Sequence, residues 1–316
     1  MSIHHVTAIA GDPQRNLDFY TGMLGLRLVK LTVNFDDPGS YHLYFGDELG
    51  SPGSILTFFP WPHGRRGRQG TGQVGTVSLA IPPASLGFWV ERLVQHGIKF
   101  DGPERRFDEQ VLAFSDPDGL LLELVASPRV ERVTAWADGP VPAEHAIRGV
   151  HGGTIWEDGD SGTAEVLTGQ LGYRQVGEEG SRIRFESAAE GVGTVLDLRR
   201  VPGFWAGAIG VGTVHHVAFR APSDEAQLEL RGRIEAAGIP ATPVVDRQYF
   251  RSVYFREPGG VLFEIATEGP GFTVDEPAAE LGTHLRLPPM YQSMRNRIEQ
   301  ALPPLRLPHV TSEEVQ

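Results

Sequence analysis

Three residues of this 316-residue chain stand out as able to do chemistry together: His5, His216 and Glu264, spread over almost its whole length. Two imidazoles and one carboxylate can hold a divalent metal and still leave coordination positions open for a substrate and O2. The chain has no Cys, which excludes thiolate zinc sites, iron–sulfur clusters, disulfides and cysteine nucleophiles. Any metal has to be held by histidine and carboxylate.

An internal repeat is what brings such distant residues into one frame. GTVHHVAFRAP (212–222) resembles VGTVSLAIPP (74–83), and FREPGGVLFEIAT (255–267) aligns with FSDPDGLLLELVA (114–126). Two weaker copies are SIHHVTAIAGD with SPGSILTFFP (2–12 and 51–60), and GVHGGTIWEDGD with GVGTVLDLRR (149–160 and 191–200). Each unit reads as an alternating apolar strand, a helix such as LGFWVERLVQHG (86–97) or AQLELRGRIEAAG (226–238), and three strands parted by Gly, Pro and Asp turns. The expected fold is therefore α+β, built from four βαβββ modules. The Pro-rich stretch SPRVERVTAWADGPVPAEH (127–145) separates one pair of modules (1–130) from the other (146–268), and 269–316 form a tail with no repeat partner.

Alternate positions of a strand face the same side, so aligning the repeats assigns the inward positions. They are His5 and Phe58 in unit one, Thr76 and Glu123 in unit two, Gly152 and Asp197 in unit three, and His216 and Glu264 in unit four. His151 is the rival to His5. The alignment sets it against His4, one residue out of register and so on the opposite face. Choosing His5 requires units one and four to form the metal-bearing cavity together. Units two and three then share a similar cavity with no histidine, read as structural.

Composition limits the partners. Lys and Arg number 28 against 40 for Asp and Glu, giving a formal charge of -12, with no basic stripe to follow a phosphate backbone. Nucleic acid is not an expected partner. No apolar run reaches the ~20 residues of a membrane span, and MSIHHVTAIAGD has no signal-peptide pattern. The expected location is the cytoplasm, and a homo-oligomer is left open.

IHHVT (3–7), HHVAF (215–219) and DRQYFRSVYFREPGGVLFEIAT (246–267), with YHLYFGDELGSPGS (41–54) and the GFTVDE tail segment, resemble the vicinal-oxygen-chelate superfamily. Within it the chain is similar to the hydroquinone-type ring-cleaving dioxygenases. The resemblance implies two similar open barrels and an Fe(II) enzyme, with Mn(II) as the alternative metal. Such an enzyme opens a para-dihydroxylated aromatic ring with O2 and incorporates both oxygen atoms. By position it implies His5, His216 and Glu264 as metal ligands, and it places His4, Thr7, His215, Arg247 and Tyr254 on the substrate side.

Each of these also has a reading of its own. The Tyr254 phenol could hydrogen-bond a substrate oxygen, or simply pack. Arg247 stays protonated and could stabilise a phenolate, or pair with Asp246 at the surface. His4 and His215 adjoin the ligands, so strand alternation turns them away unless the strands are bulged.

Rival readings share the fold. An extradiol catechol dioxygenase would use the same ligands. A glyoxalase-like isomerase would need a fourth ligand at Phe58, which cannot ligate, and a non-catalytic aromatic- or drug-binding module would need no metal residues. His42 reads as a packing residue and HGRRGRQGTGQ (63–73) as a mobile connection. His63, His96, His145, His284 and His309 show no ligand spacing.

Overall fold

The computed structural model describes residues 1–130, 133–159 and 162–308; His309 and the end of the tail lie outside them. Module one runs β1 (Ile3–Ala10), α1 (Pro13–Leu17, continued by a π-helical turn to Met23), β2 (Arg27–Asn34), β3 (Asp37–Gly46) and β4 (Ile55–Pro60). Module two has β5 (Gln73–Ile81), α2 (Leu86–Gln95), β6 (Phe100–Arg106), β7 (Glu109–Ser115) and β8 (Leu121–Ala126). Module three has β9 (Val150–Glu157), α3 (Thr163–Glu165), β10 (Tyr173–Glu179), β11 (Arg182–Ser187) and β12 (Val195–Arg200). Module four has β13 (Thr213–Ala221), α4 (Asp224–Ala236), β14 (Val245–Asp246), β15 (Arg251–Arg256) and β16 (Leu262–Thr267).

In every module the first and last strands pair in parallel, which needs a crossover, and the helix supplies it. The helix of module four shows how the sequence stops and starts these elements. Ser223 Oγ accepts from Ala226 N at 3.2 Å, Asp224 and Glu225 fill the positive first turn, and Gln227, Leu230 and Ile234 form the buried face.

The modules join as two 8-stranded sheets, ordered β14-β15-β16-β13-β1-β4-β3-β2 and β10-β11-β12-β9-β5-β8-β7-β6. Module one thus pairs with module four and module two with module three, the arrangement that choosing His5 demanded. Each half of the sequence, 1–130 and 146–268, contributes one module to each sheet. The α+β fold of two similar half-barrels matches the expectation from the repeats.

The seam of the first sheet is the antiparallel pair β1–β13. Its register slips between Ile3 and His5 and again between Thr7 and Ala8, leaving His4 and His215 as the extra residues of a bulge on each strand. The β5–β9 seam slips in the same way, with Gly75 and His151 as the extra residues. His151 therefore occupies the bulge place of His215, and Gly152 the place of His216. A Cβ on Gly152 would lie 2.0 Å from the Val195 carbonyl oxygen, so no larger residue fits there.

The basic loop 63–73 is not a free connection. It bridges the loop before module four through Arg66 to Val211, Arg68 to Ala208 and Thr71 to Ala206. The tail covers the β2 edge, where Leu31 bridges Leu285 and Arg286 N donates to Leu31 O at 2.9 Å. Its anchor is Lys30, fully buried, which donates to Asp275 Oδ1 at 2.6 Å and the Phe272 carbonyl at 3.1 Å and pairs with Glu276.

Removing one partner of a buried ion pair strands the other. Lys30→Met is expected to cost ~3–5 kcal/mol, read as a lower denaturant midpoint; an unchanged midpoint would show that the tail is held without this cluster.

Candidate metal centre

His5 on β1, His216 on β13 and Glu264 on β16 converge at the seam of the first sheet. They form a group of possible metal ligands, all buried. His5 Nε2 lies 3.3 Å from His216 Nε2 and 3.4 Å from Glu264 Oε2, and His216 Nε2 lies 2.8 Å from that oxygen. Ligands at about 2.1 Å from a metal and at right angles to one another sit roughly 3.0 Å apart, so the triangle fits one face of an octahedron. Glu264 Oε2 has no hydrogen-bond partner despite these short contacts. A carboxylate oxygen this close to two imidazole nitrogens without a hydrogen bond is what a shared cation would satisfy.

The carboxylate is held in place from behind, its other oxygen Oε1 accepting from Ser252 Oγ at 2.6 Å. Burial alone would raise the Glu264 carboxyl, but His5 and His216 outweigh it and hold it well below the usual carboxylate range. Burial pushes His216 below the ordinary imidazole value, with Glu264 partly opposing. The donors are thus an anion and a neutral imidazole facing His5, the protonation that metal binding needs.

The cavity in front of this triangle has a volume of about 40 Å³. Thr7, Arg247 and Tyr254 line it, as the resemblance implied. Arg247 Nε lies 3.3 Å from Tyr254 Oη, and its Nη1 and Nη2 form a two-pronged ion pair with Asp36 at 3.2 and 3.0 Å. Its partner is therefore Asp36 of module one and not Asp246, whose carboxylate caps Gln248 N at 2.7 Å.

His4 and His215 do not line the cavity. Their Nδ1 atoms lie 2.9 and 2.8 Å from the Nδ1 atoms of His5 and His216. The bulges turn each first histidine beside its neighbour, where it can fix the ring orientation of a ligand.

The inward register needs one correction. His5 pairs with Ile55 and Thr7 with Thr57, so Thr57, not Phe58, is the counterpart of Glu264. Phe58 is fully buried in the core on the other face. The cavity is also lined by Asn34, Phe35, Asp36, His42, Tyr44, Phe59 and Phe250, none of which the sequence reading assigned to it. Strand alternation from Tyr44 would have found His42, and correct register on β4 would have found Phe59. The Asn34–Asp36 turn carries no such signal. His63, His96, His145 and His284 lie outside the lining.

In the second sheet the histidine positions are Thr76 and Gly152, and the carboxylates at the equivalent places are paired with guanidinium groups. Glu123 accepts from Ser78 Oγ and Arg106 Nη1, both at 2.8 Å, and Asp197 accepts from Arg182 Nη1 and Arg184 Nε, both at 2.9 Å. His151 Nε2 lies 3.2 Å from Glu109 Oε2. Glu123 and Asp197 are thus each paired with arginine.

Paired βαβββ modules with a two-histidine, one-carboxylate face define a metal-site protein of the vicinal-oxygen-chelate type. The model of the Glyoxalase/Bleomycin resistance protein/Dioxygenase superfamily matches residues 2–124 and 128–265, and the chain belongs to that superfamily. It is 49% identical over 304 residues to "Putative ring-cleaving dioxygenase MhqO" of Bacillus subtilis, covering 96% of each chain. It is 34% identical over 306 residues to chlorohydroquinone/hydroquinone 1,2-dioxygenase of Sphingobium indicum, covering 94% of each. The crystal structure of a "putative dioxygenase" from Bacillus subtilis superimposes with a TM-score of 0.93 at 47% identity, covering 98% of this chain and 99% of that one.

Burial holds His4, His42 and His216 below the ordinary imidazole value and takes His215 down to about 3, with neighbouring imidazoles adding to the effect. In the metal-free protein these rings refuse protons that the unfolded chain accepts below about pH 6.5. Their contribution is complete above that pH and is lost as pH falls through it, at up to ~1.4 kcal/mol per pH unit for each ring. Denaturant midpoints of metal-free protein should therefore fall between about pH 7 and about pH 5; a flat profile would mean that the rings titrate freely.

Proposed function

We propose that this chain is an Fe(II)-dependent, cytoplasmic ring-cleaving dioxygenase acting on a hydroquinone with O2. The observation that carries the reading is the triangle of His5, His216 and Glu264, its edges 2.8–3.4 Å, at the base of a cavity walled by aromatic rings. The dioxygenase names of the relatives, one of them a hydroquinone dioxygenase, support the reaction class. Fe(II), when bound, supplies open positions and the one-electron chemistry by which O2 reacts with a closed-shell ring.

The remaining residues bind and orient. Phe35, Phe59 and Phe250 offer faces and edges to an aromatic ring. Arg247 keeps its charge, because Tyr254 and Asp36 more than offset its burial, and it stands ready to stabilise a phenolate. Burial raises the Tyr254 phenol well above its ordinary value, so Tyr254 stays a hydrogen donor. Since Arg247 Nε donates to its oxygen, the Tyr254 hydrogen is available to a substrate oxygen.

A cavity of about 150 Å³ holds a benzene ring, whereas this one measures about 40 Å³. Admitting a substrate therefore requires a wall to move. The wall most able to do so is the Asn34–Asp36 turn, where Asp36 is 73% exposed and its ion pair correspondingly weak.

Protein loaded anaerobically with Fe(II) should consume O2 on addition of a hydroquinone, and more slowly or not at all with catechol. His216→Ala should abolish uptake. Uptake with catechol alone would favour the extradiol reading, and no uptake with either ring would remove the ring-cleaving one. Arg247→Met should lower kcat by roughly 100-fold, as expected for losing a donor to a developing oxyanion; a rise in KM with kcat intact would limit Arg247 to holding the turn.

A further inference from the structure

Strands β3 and β15 occupy equivalent places in modules one and four, and Tyr44 and Tyr254 pair with Thr57 and Glu264 respectively. Two residues earlier on the same faces stand His42 and Ser252. In module four the Ser252 hydroxyl donates to the Glu264 carboxylate. In module one His42 Nε2 lies 2.8 Å from Thr57 Oγ1, which is itself 2.9 Å from Thr7 Oγ1. The place that holds a metal-type carboxylate in one module thus holds a hydroxyl braced by an imidazole in the other. The His42 ring is further fixed against Tyr44 and Phe59, with centroids 3.9 and 4.4 Å away.

Most of the other polar groups lining the cavity already have a partner, although the Tyr254 hydrogen remains free to donate. Thr7 meets Thr57, Asp36 is taken up by Arg247, and Tyr254 Oη receives Arg247 Nε. Asn34 Oδ1 accepts from Asp36 N at 3.0 Å. Tyr44 is 2% exposed, packed toward Tyr249 and Phe272. His42 is partly exposed, lines the cavity, and uses only Nε2; Nδ1 has no hydrogen-bond partner among the described residues. Burial and the nearby His5 and His216 keep the ring neutral, so one nitrogen donates and the other accepts.

We propose that His42 hydrogen-bonds the substrate ring oxygen turned away from His5, His216 and Glu264, so that it selects rings carrying a second hydroxyl. The inference rests on the hydroquinone reading above and names the residue that would recognise the far side of the ring. A ring lacking that hydroxyl would leave the imidazole unpaired, a loss of about tenfold or more in affinity.

Anaerobic calorimetry on the Fe(II)-loaded full chain, with hydroquinone and with phenol as probes, tests it. Wild type should bind hydroquinone about tenfold or more tightly than phenol. His42→Phe should bring the two within about twofold at unchanged iron content, mainly by weakening hydroquinone. Thr57→Val keeps the imidazole and removes its brace, so its preference should be intermediate, and it decides the matter if His42→Phe does not fold. A variant of either kind that retains the full wild-type preference overturns the proposal. So does a wild type that binds both probes equally; the ring-cleaving reading survives that result if hydroquinone still drives O2 uptake and falls if it does not.

Discussion

Three candidate ligand atoms, of His5, His216 and Glu264, lie 2.8–3.4 Å from one another although His5 is more than 200 residues from the other two. The antiparallel β1–β13 seam makes this possible, and the rest of the structure follows from it. The seam joins module one to module four, carries a bulge on each strand at the doubled histidines, and sets His5 and His216 across from each other. Glu264 comes from the strand that lies parallel to β13. The seam lies at the centre of the sheet, and the Lys30 cluster ties the tail over the β2 edge.

The second sheet repeats the geometry without the chemistry. Its seam is bulged at corresponding places, and two carboxylates stand at or near the ligand positions. Arg106, Arg182 and Arg184 supply the positive charge there, and Gly152 has no room for an imidazole. Covalently fixed cations remove the need for a bound one. The same fold thus carries one sheet whose carboxylate faces two imidazoles and one whose carboxylates are paired with its own guanidinium groups beside a cavity of about 1200 Å³, an instance of function residing in a site and not in a fold.

Much of this was legible in the sequence, because repeats and strand alternation report directly on faces. The four modules, the pairing of one with four and the convergence of His5, His216 and Glu264 all follow from the alignment of IHHVT with HHVAF and of Glu264 with Glu123. The failures have one physical root each. A one-residue slip put Phe58 where Thr57 belongs, since alternating strands give opposite answers for adjacent residues. That slip hid Phe59, while His42 was passed over although alternation from Tyr44 points it inward. The bulges at His4 and His215 were foreseen only as a condition, because a bulge depends on pairing that one strand cannot reveal. Asp36 as the partner of Arg247, the bridged loop at 63–73 and the Lys30 cluster all depend on long-range contacts with no local pattern.

The central claim is that one metal is shared between modules one and four and that the second sheet holds none. Calorimetric titration of metal-free protein with Fe(II) under anaerobic conditions tests it most directly. The account requires one site per chain, lost in Glu264→Gln and retained in Glu123→Gln. Two sites per chain, or tight binding that survives Glu264→Gln, would contradict it.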